Sequence, residues 1–208
     1  MCGIFAVIGS REVSSLLIDG LRKLEYRGYD SAGIATIDNL NNDQIGQLNV
    51  TKAKGKLINL ANLIKKKPPK GHVGIAHTRW ATHGKPNERN AHPHLDFSGQ
   101  IAVVQNGIIE NYRDLSNSLK LKGIKLTSDT DTEIIPHLIG LEIEHYLANG
   151  LSPNEQTLLI AVQKVLTLLE GTYSIAVIWS KAPNALVVAR GQAPLVLGFG
   201  EGEFFWAS

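Results

Sequence analysis

The stretch TYSIAVIWSKAPNALVVARGQAPLVLGFGEGEFFWAS, residues 172–208, decides the fold class. Four strand-like pieces follow one another in it: Tyr173–Trp179, Ala185–Ala189, Leu195–Gly198 and Phe204–Ala207. The Lys, Pro, Asn and Gly residues that join them are too few for a helical crossover. The run therefore points to antiparallel pairing there. The run ends on an apolar Phe204-Phe205-Trp206 with no polar tail. This gives the expectation of a domain cut short of its last strands, which would leave an unpaired and aggregation-prone edge.

Upstream, short apolar runs alternate with helical spacings. Ile4–Ile8 reads as a buried strand. Ser10 is placed to cap a helix with Val13, Leu16, Leu17, Leu21 and Leu24 on its apolar face. Gly33–Ile37 and Ile45–Val50 read as strands around a polar turn, Asp38–Gln44. Leu57, Leu60, Ala61 and Ile64 mark a helix that Pro68-Pro69 ends. Val73–Ala76 and Ile101–Val104 read as central strands, separated by the long irregular segment 78–100; loops of that length usually carry function or are disordered. Leu115 and Leu119 lie on a helix stopped by Gly123, and a longer helix is expected from Thr130-Asp131. Ser152-Pro153-Asn154-Glu155 has capping-box spacing for a helix running to Gly171. The sum is an α+β protein with strands enough for two sheets.

Composition narrows the function. Hydrophobic residues make up 43% and charged residues 19%, which is globular rather than disordered. The net charge of +2 gives no nucleic-acid footprint. No apolar run approaches the roughly 20 residues of a membrane span, and no cationic leader precedes Ile4–Ile8, so a cytoplasmic protein is expected. The single Cys excludes an internal disulfide and multi-cysteine zinc sites. Five of the seven His fall between His72 and His94, but at no usual metal spacing, so structural hydrogen bonding is expected of them, with no metal and no cofactor.

A lone Cys is commonly a small buried hydrophobe. Cys2, however, becomes the N-terminal residue if Met1 is removed. Its thiol then sits beside its own α-amine, whose reference pKa of about 7.7–8.0 suits proton transfer at working pH. Asn106-Gly107 has the signature of a hairpin turn, yet leads towards a helix. The other reading is an oxyanion hole made of the Asn amide and the Gly N–H. His77–Gly84 is dense in polar groups: Arg79 can grip a carboxylate and Trp80 can cover a pocket, or the stretch is an ordinary surface loop with an anchoring Trp. In Ser128–Glu133 the acidic residues suit a helix start, or Asp131 binds an ammonium group.

Met1-Cys2-Gly3-Ile4, Leu24-Glu25-Tyr26-Arg27-Gly28-Tyr29-Asp30-Ser31-Ala32-Gly33, His77–Gly84, Asn90-Ala91-His92-Pro93-His94, Asn106–Tyr112 and Thr130–Glu133 occur in this order. In this the chain resembles, over essentially all of residues 1–208, the N-terminal glutaminase domains of the glucosamine-6-phosphate synthase (glutamine–fructose-6-phosphate transaminase) family. These are class II glutamine amidotransferases. The resemblance implies an N-terminal-nucleophile hydrolase sandwich, two antiparallel sheets between helix layers. It implies hydrolysis of L-glutamine through a thioester on Cys2, with Asn106 and Gly107 as the oxyanion hole. It assigns Arg79 to the substrate carboxylate, Asp131 to its ammonium, Thr82 and His83 to the rest of the substrate loop, Trp80 to closure over the site and Arg27 to support of the active-site backbone. In that family, homodimeric enzymes pass the ammonia to fructose 6-phosphate held by sugar-isomerase domains, which this sequence lacks. Gln105 stands where many members carry His. The competing readings are a truncated, non-catalytic remnant or interaction module, and the glutaminase half of a different amidotransferase.

Overall fold

Why Ile4–Val7 forms a strand is visible in what covers it. In a computed structural model that describes residues 2–38, 45–81 and 84–208, β1 (Gly3–Gly9) is buried on both faces. Ile4 and Ala6 point to one side, Phe5 and Val7 to the other, and each side meets a different apolar cluster. The same holds for β4 (Val73–Arg79), β6 (Ile101–Ile109) and β7 (Gly171–Trp179). A strand apolar at every position is stable only when covered on both faces, and the layers here provide that cover.

Two antiparallel sheets stack face to face. The first has the order β3-β2-β4-β1-β10-β9, adding β2 (Ser31–Asp38), β3 (Gln47–Lys54), β9 (Val196–Gly200) and β10 (Glu203–Ala207). The second has the order β5-β6-β7-β8, adding β5 (His94–Leu95) and β8 (Ala182–Gly191). Ile4, Ala6, Ile37 and Ile75 of one sheet meet Ala102, Val104, Ala176 and Ile178 of the other. Helices α1 (Ser14–Leu24) and α2 (Leu57–Lys66) cover the outer face of the first sheet through Leu17, Leu21, Leu57 and Leu60. Helices α3 (Tyr112–Leu121), α4 (Ile134–Ala148) and α5 (Glu155–Leu166) cover the second, against Val103, Ile175, Val177 and Trp179. The expected sandwich of two antiparallel sheets between helix layers is the observed fold.

Several local expectations are corrected. Ser10 does not cap α1; the helix starts at Ser14, because Arg11 is drawn to Glu203 and the Glu12 carboxylate accepts the Gly71 N–H. Asn154, not Ser152, caps α5, its side chain accepting the Thr157 N–H at 3.0 Å, and that helix ends at Leu166 rather than Gly171. Helix α4 begins at Ile134, since residues 130–133 are held in a turn by their own side-chain hydrogen bonds. Strand β3 runs later than expected, to Lys54, and of the four late strands β7 pairs with β8 and β9 with β10, while β8 and β9 lie in different sheets. Of the polar turn read at Asp38–Gln44, Asp38 ends β2 and residues 39–44 lie outside the described residues.

The turn before α4 is fastened by Glu133. Its carboxylate accepts the Thr127 and Ser128 N–H groups at 2.7 and 2.6 Å and both hydroxyls at 2.7 Å. Burial would raise its pKa, but the neighbouring His137 ring and these donors outweigh burial and hold the carboxyl far below the usual carboxylate range. A depressed carboxylate contributes stability that is full above its unfolded pKa and is lost as pH falls through the folded one. Glu133→Gln is therefore expected to cost about 1–3 kcal/mol at neutral pH and to flatten the acid side of the stability curve. Urea melts between neutral and acid pH check this, and a variant curve parallel to the parent's would contradict it.

Candidate active site

The site lies where the start of β1, the end of β4 and the last residues of β6 converge at one end of the sandwich. Gly3 pairs with Thr78, which places Cys2 beside Arg79-Trp80. The Cys2 Sγ accepts the Trp80 N–H at 3.2 Å. Burial pushes the thiol pKa up, opposed by that N–H and the Arg79 charge, so the thiol is protonated at neutral pH and needs a base.

Asn106 comes from the other sheet. Strand β6 pairs with β7 straight through Asn106-Gly107, so the dipeptide is mid-strand and the hairpin-turn reading is wrong. Its side chain crosses to the first sheet, where Nδ2 donates to the Cys2 carbonyl at 3.2 Å and to the Ser208 carbonyl at 3.3 Å. The His77 Nε2 donates to Oδ1 at 3.0 Å, and this fixes which end of the amide faces Cys2. His77 is fully buried, and burial pushes its pKa down to about 3, so the ring is neutral. Gly107 has φ +109°, and a Cβ there would fall 1.9 Å from the Thr172 carbonyl oxygen. Only glycine fits, which leaves the strand bare beside Asn106.

Two residues on, the Ile109 N–H donates to the buried Asp131 carboxylate at 2.8 Å, so one strand positions Asn106, Gly107 and Asp131. Arg79 is buried at the end of β4 and donates to the Gly84 carbonyl at 3.4 Å. Trp80 is exposed and packs edge-on against Tyr29, ring centroids 5.2 Å apart. Arg27 contacts Tyr26, its Nε 3.2 Å from the Tyr26 hydroxyl. Thr82 and His83 lie outside the described residues.

Support of the Arg79–Ala81 backbone runs through neighbours of Arg27 that sequence reasoning did not single out. The Asp30 N–H donates to the Arg79 carbonyl at 3.2 Å, and its carboxylate accepts the Ala81 N–H. Gly28 lies flat on this segment: a Cβ there would sit 2.6 Å from the Arg79 carbonyl carbon and 2.9 Å from the Trp80 nitrogen. Gly28→Ala must displace the backbone that holds the Cys2 sulfur. A misplacement of about 1 Å costs on the order of 10²-fold in rate, and that is the loss of kcat expected. An unchanged kcat would show that the Trp80 N–H does not position Cys2.

Of the five histidines expected to be structural, His77, His92 and His94 make hydrogen bonds and ring contacts in the core, and His83 lies outside the described residues. His77 stacks on His92 at 4.0 Å, and His92 meets His94 edge-on at 4.8 Å. The His92 Nδ1 accepts the Gln105 N–H at 3.3 Å, and the His94 Nε2 bonds the Thr130 hydroxyl at 2.9 Å. Gln105, at the departure from the family pattern, accepts the Thr132 hydroxyl. The signal for His77 was present in its strand: with period 2, Val73, Ile75 and His77 share the face between the sheets.

Known proteins are similar to this chain in sequence and in fold. The profile of a family described as "Glutamine amidotransferase domain" matches residues 77–208. The chain is 54% identical over 209 residues to glutamine–fructose-6-phosphate aminotransferase [isomerizing] from Thermosynechococcus vestitus, covering 100% of this chain and 31% of that protein. It is 46% identical over 208 residues to the enzyme of the same name from Clostridium acetobutylicum, again covering 100% of this chain and 31% of the relative. The chain thus spans about a third of the length of the curated relatives it matches. Among solved structures, the allosteric regulatory enzyme of purine biosynthesis superposes with TM-score 0.81 at 26% identity, over 100% of this chain and 42% of that one. Glutamine phosphoribosylpyrophosphate amidotransferase from B. subtilis gives 0.79 at 25% identity, over 99% and 41%. No helix among the described residues is long and apolar enough to cross a membrane.

Proposed function

Because the chain belongs to the glutamine amidotransferase domain family, we propose that it hydrolyses L-glutamine to glutamate and ammonia through a thioester on Cys2, as the ammonia-supplying domain of a fructose-6-phosphate aminotransferase. The observation that carries this reading is the meeting of Asn106 and Cys2 across the two sheets, with a neutral His77 turning the amide N–H groups towards Cys2.

With Met1 removed, the Cys2 α-amine takes the thiol proton and the sulfur attacks the side-chain amide carbon of glutamine. The Trp80 N–H, already on the sulfur, favours the thiolate. Charge develops on the amide oxygen, where the Asn106 amide and the Gly107 N–H stabilise it. As the tetrahedral intermediate collapses, the α-amine returns the proton to the leaving nitrogen and ammonia departs. Water then attacks the thioester along the same path, giving glutamate and the free thiol. Arg79 holds the substrate α-carboxylate and Asp131 its α-ammonium; Thr82, His83 and Trp80 complete the loop over the substrate. Arg27, with Gly28 and Asp30, belongs to the supporting segment. Residues 1–208 form a glutaminase domain. Fructose 6-phosphate, the acceptor named in the relatives, would be bound by isomerase domains outside this stretch.

Acid-quenching the protein during turnover and weighing its N-terminal peptide tests the reading: a glutamyl group on Cys2 is expected. Its absence under conditions of steady glutamate release would contradict covalent catalysis. Asp131→Asn tests the binding assignment, because the amide keeps an acceptor for the Ile109 N–H but loses the charge. KM for glutamine is expected to rise about 10–100-fold, the worth of a charged hydrogen bond, with kcat little changed. A fall in kcat at constant KM would remove Asp131 from the binding role.

A further inference from the structure

We infer that the chain carries a second ligand site, for a small phosphorylated molecule, in a cavity that none of the residues assigned to glutamine turnover lines. The cavity has a volume of about 720 Å³ and opens between β3, β5 and the segment from the end of α3 into α4. This is the size of small-molecule pockets.

Its electrostatics select the ligand. Lys52, Lys122 and Lys125 bring three ammonium groups to the lining, and none forms an ion pair among the described residues. The acids opposite them are mostly committed. Asp96 accepts the Ser98, Gln100 and Ile101 N–H groups, and Glu133 is saturated by Thr127 and Ser128. Arg89 is bound to Asp129 at 2.7 Å. Asp96 and Glu133 keep their negative charge but direct it at neutral N–H and O–H donors, so the three lysines are the charged donors left for a ligand. Lys52 is largely withdrawn from water, and that burial, opposed by the charges of Glu133 and Glu88, lowers its pKa to about 8.

A second, independent observation points into the same space. His137, on α4, is 3% exposed, lines the cavity, and has no hydrogen-bond partner at either ring nitrogen. The Glu133 Oε1 lies 3.7 Å from Nε2, close enough for the ring to act on that carboxyl but longer than a formed hydrogen bond. A buried imidazole left unpaired is costly, and a ligand oxygen would satisfy it. Lysines along one cavity, with the Arg89 guanidinium engaged by Asp129, suit the point-charge recognition of a tetrahedral phosphate better than the planar fork a carboxylate prefers. Phe97 and Leu141 supply an apolar wall for the carbon body of an ester.

The test is a thermal-shift titration of the full chain with glucose 6-phosphate and with inorganic phosphate, against sodium chloride at equal ionic strength. A saturable rise in Tm is expected with a phosphate compound and not with chloride. Lys52→Met should raise the half-saturating concentration by about tenfold or more. The exposed pair Lys122→Ala/Lys125→Ala, which cannot disturb the core, should do the same. Lys65→Met, on α2 and away from the cavity, should not. Tighter binding of the sugar phosphate assigns an organic ester; equal binding assigns the free anion; either supports the site. No saturable shift beyond chloride, or a shift that both Lys52→Met and the double variant retain, overturns it.

Discussion

Cys2→Ala is expected to abolish glutamate release, with kcat falling by on the order of 10⁴–10⁶-fold, the loss that follows removal of a covalent nucleophile. No other thiol can substitute, because Cys2 is the single Cys of the sequence. The variant should fold: among the described residues the Cys2 side chain forms hydrogen bonds only with the Trp80 backbone, and alanine fits its space. Alanine also leaves a small second residue and, after removal of Met1, a free α-amine. The base and the oxyanion donors persist while the nucleophile is gone, so the loss can be assigned to the sulfur. A Tm near the parent's must accompany it. Persistent turnover would falsify the thioester route and leave direct attack by water as the remaining hydrolysis.

The second large effect is at Asn106. Removing one oxyanion donor costs about 3–4 kcal/mol, so Asn106→Ala is expected to lower kcat about 10²–10³-fold with KM changed much less. A structural cost comes with it. The His77 Nε2–H, buried beneath the amide, loses its acceptor, which costs about 1–3 kcal/mol of stability. His77→Phe separates the two: the amide stays but loses its orienting donor, so kcat should fall less than in Asn106→Ala while its Oδ1 is left unpaired. If Asn106→Ala instead raises KM at constant kcat, the amide binds ground-state glutamine rather than the oxyanion. Assays of glutamate against glutamine concentration, with melts on the same preparations, decide this.

Much of the fold was legible because its central strands are apolar on both faces. Ile4–Ile8, Val73–Ala76, Ile101–Val104 and Tyr173–Trp179 have no polar side to hide, and a core between two sheets and two helix layers is what such strands require. Boundaries were less legible where a distant residue won. Ser10 has the chemistry of a cap, but the Arg11–Glu203 pair and the Glu12 bond to Gly71 pull the preceding turn aside, contacts spanning 192 and 59 residues. Asn106-Gly107 shows the same limit: the local signature is a turn, yet pairing with Ser174 and Tyr173 keeps the strand going.

The site was legible as a set of residue types, not as an arrangement. Cys2 and Asn106, 104 residues apart, meet only because their strands belong to facing sheets. Spacing alone could not place Asp131 on the Ile109 N–H, nor show that Gly28 and Asp30 carry the backbone beside the sulfur. The buried row His77, His92 and His94 was expected to be structural, but its join to the oxyanion donor depends on the fold.

The central claim is that Cys2, freed as the N-terminal residue, turns glutamine into glutamate and ammonia. The most direct measurement is the release of both products by protein whose N-terminal mass has been determined. Protein that begins at Cys2 is predicted to release glutamate and ammonia in equal amounts, and protein that keeps Met1 to release neither, since its Cys2 nitrogen is an amide. A folded preparation beginning at Cys2 that releases no glutamate would contradict the account.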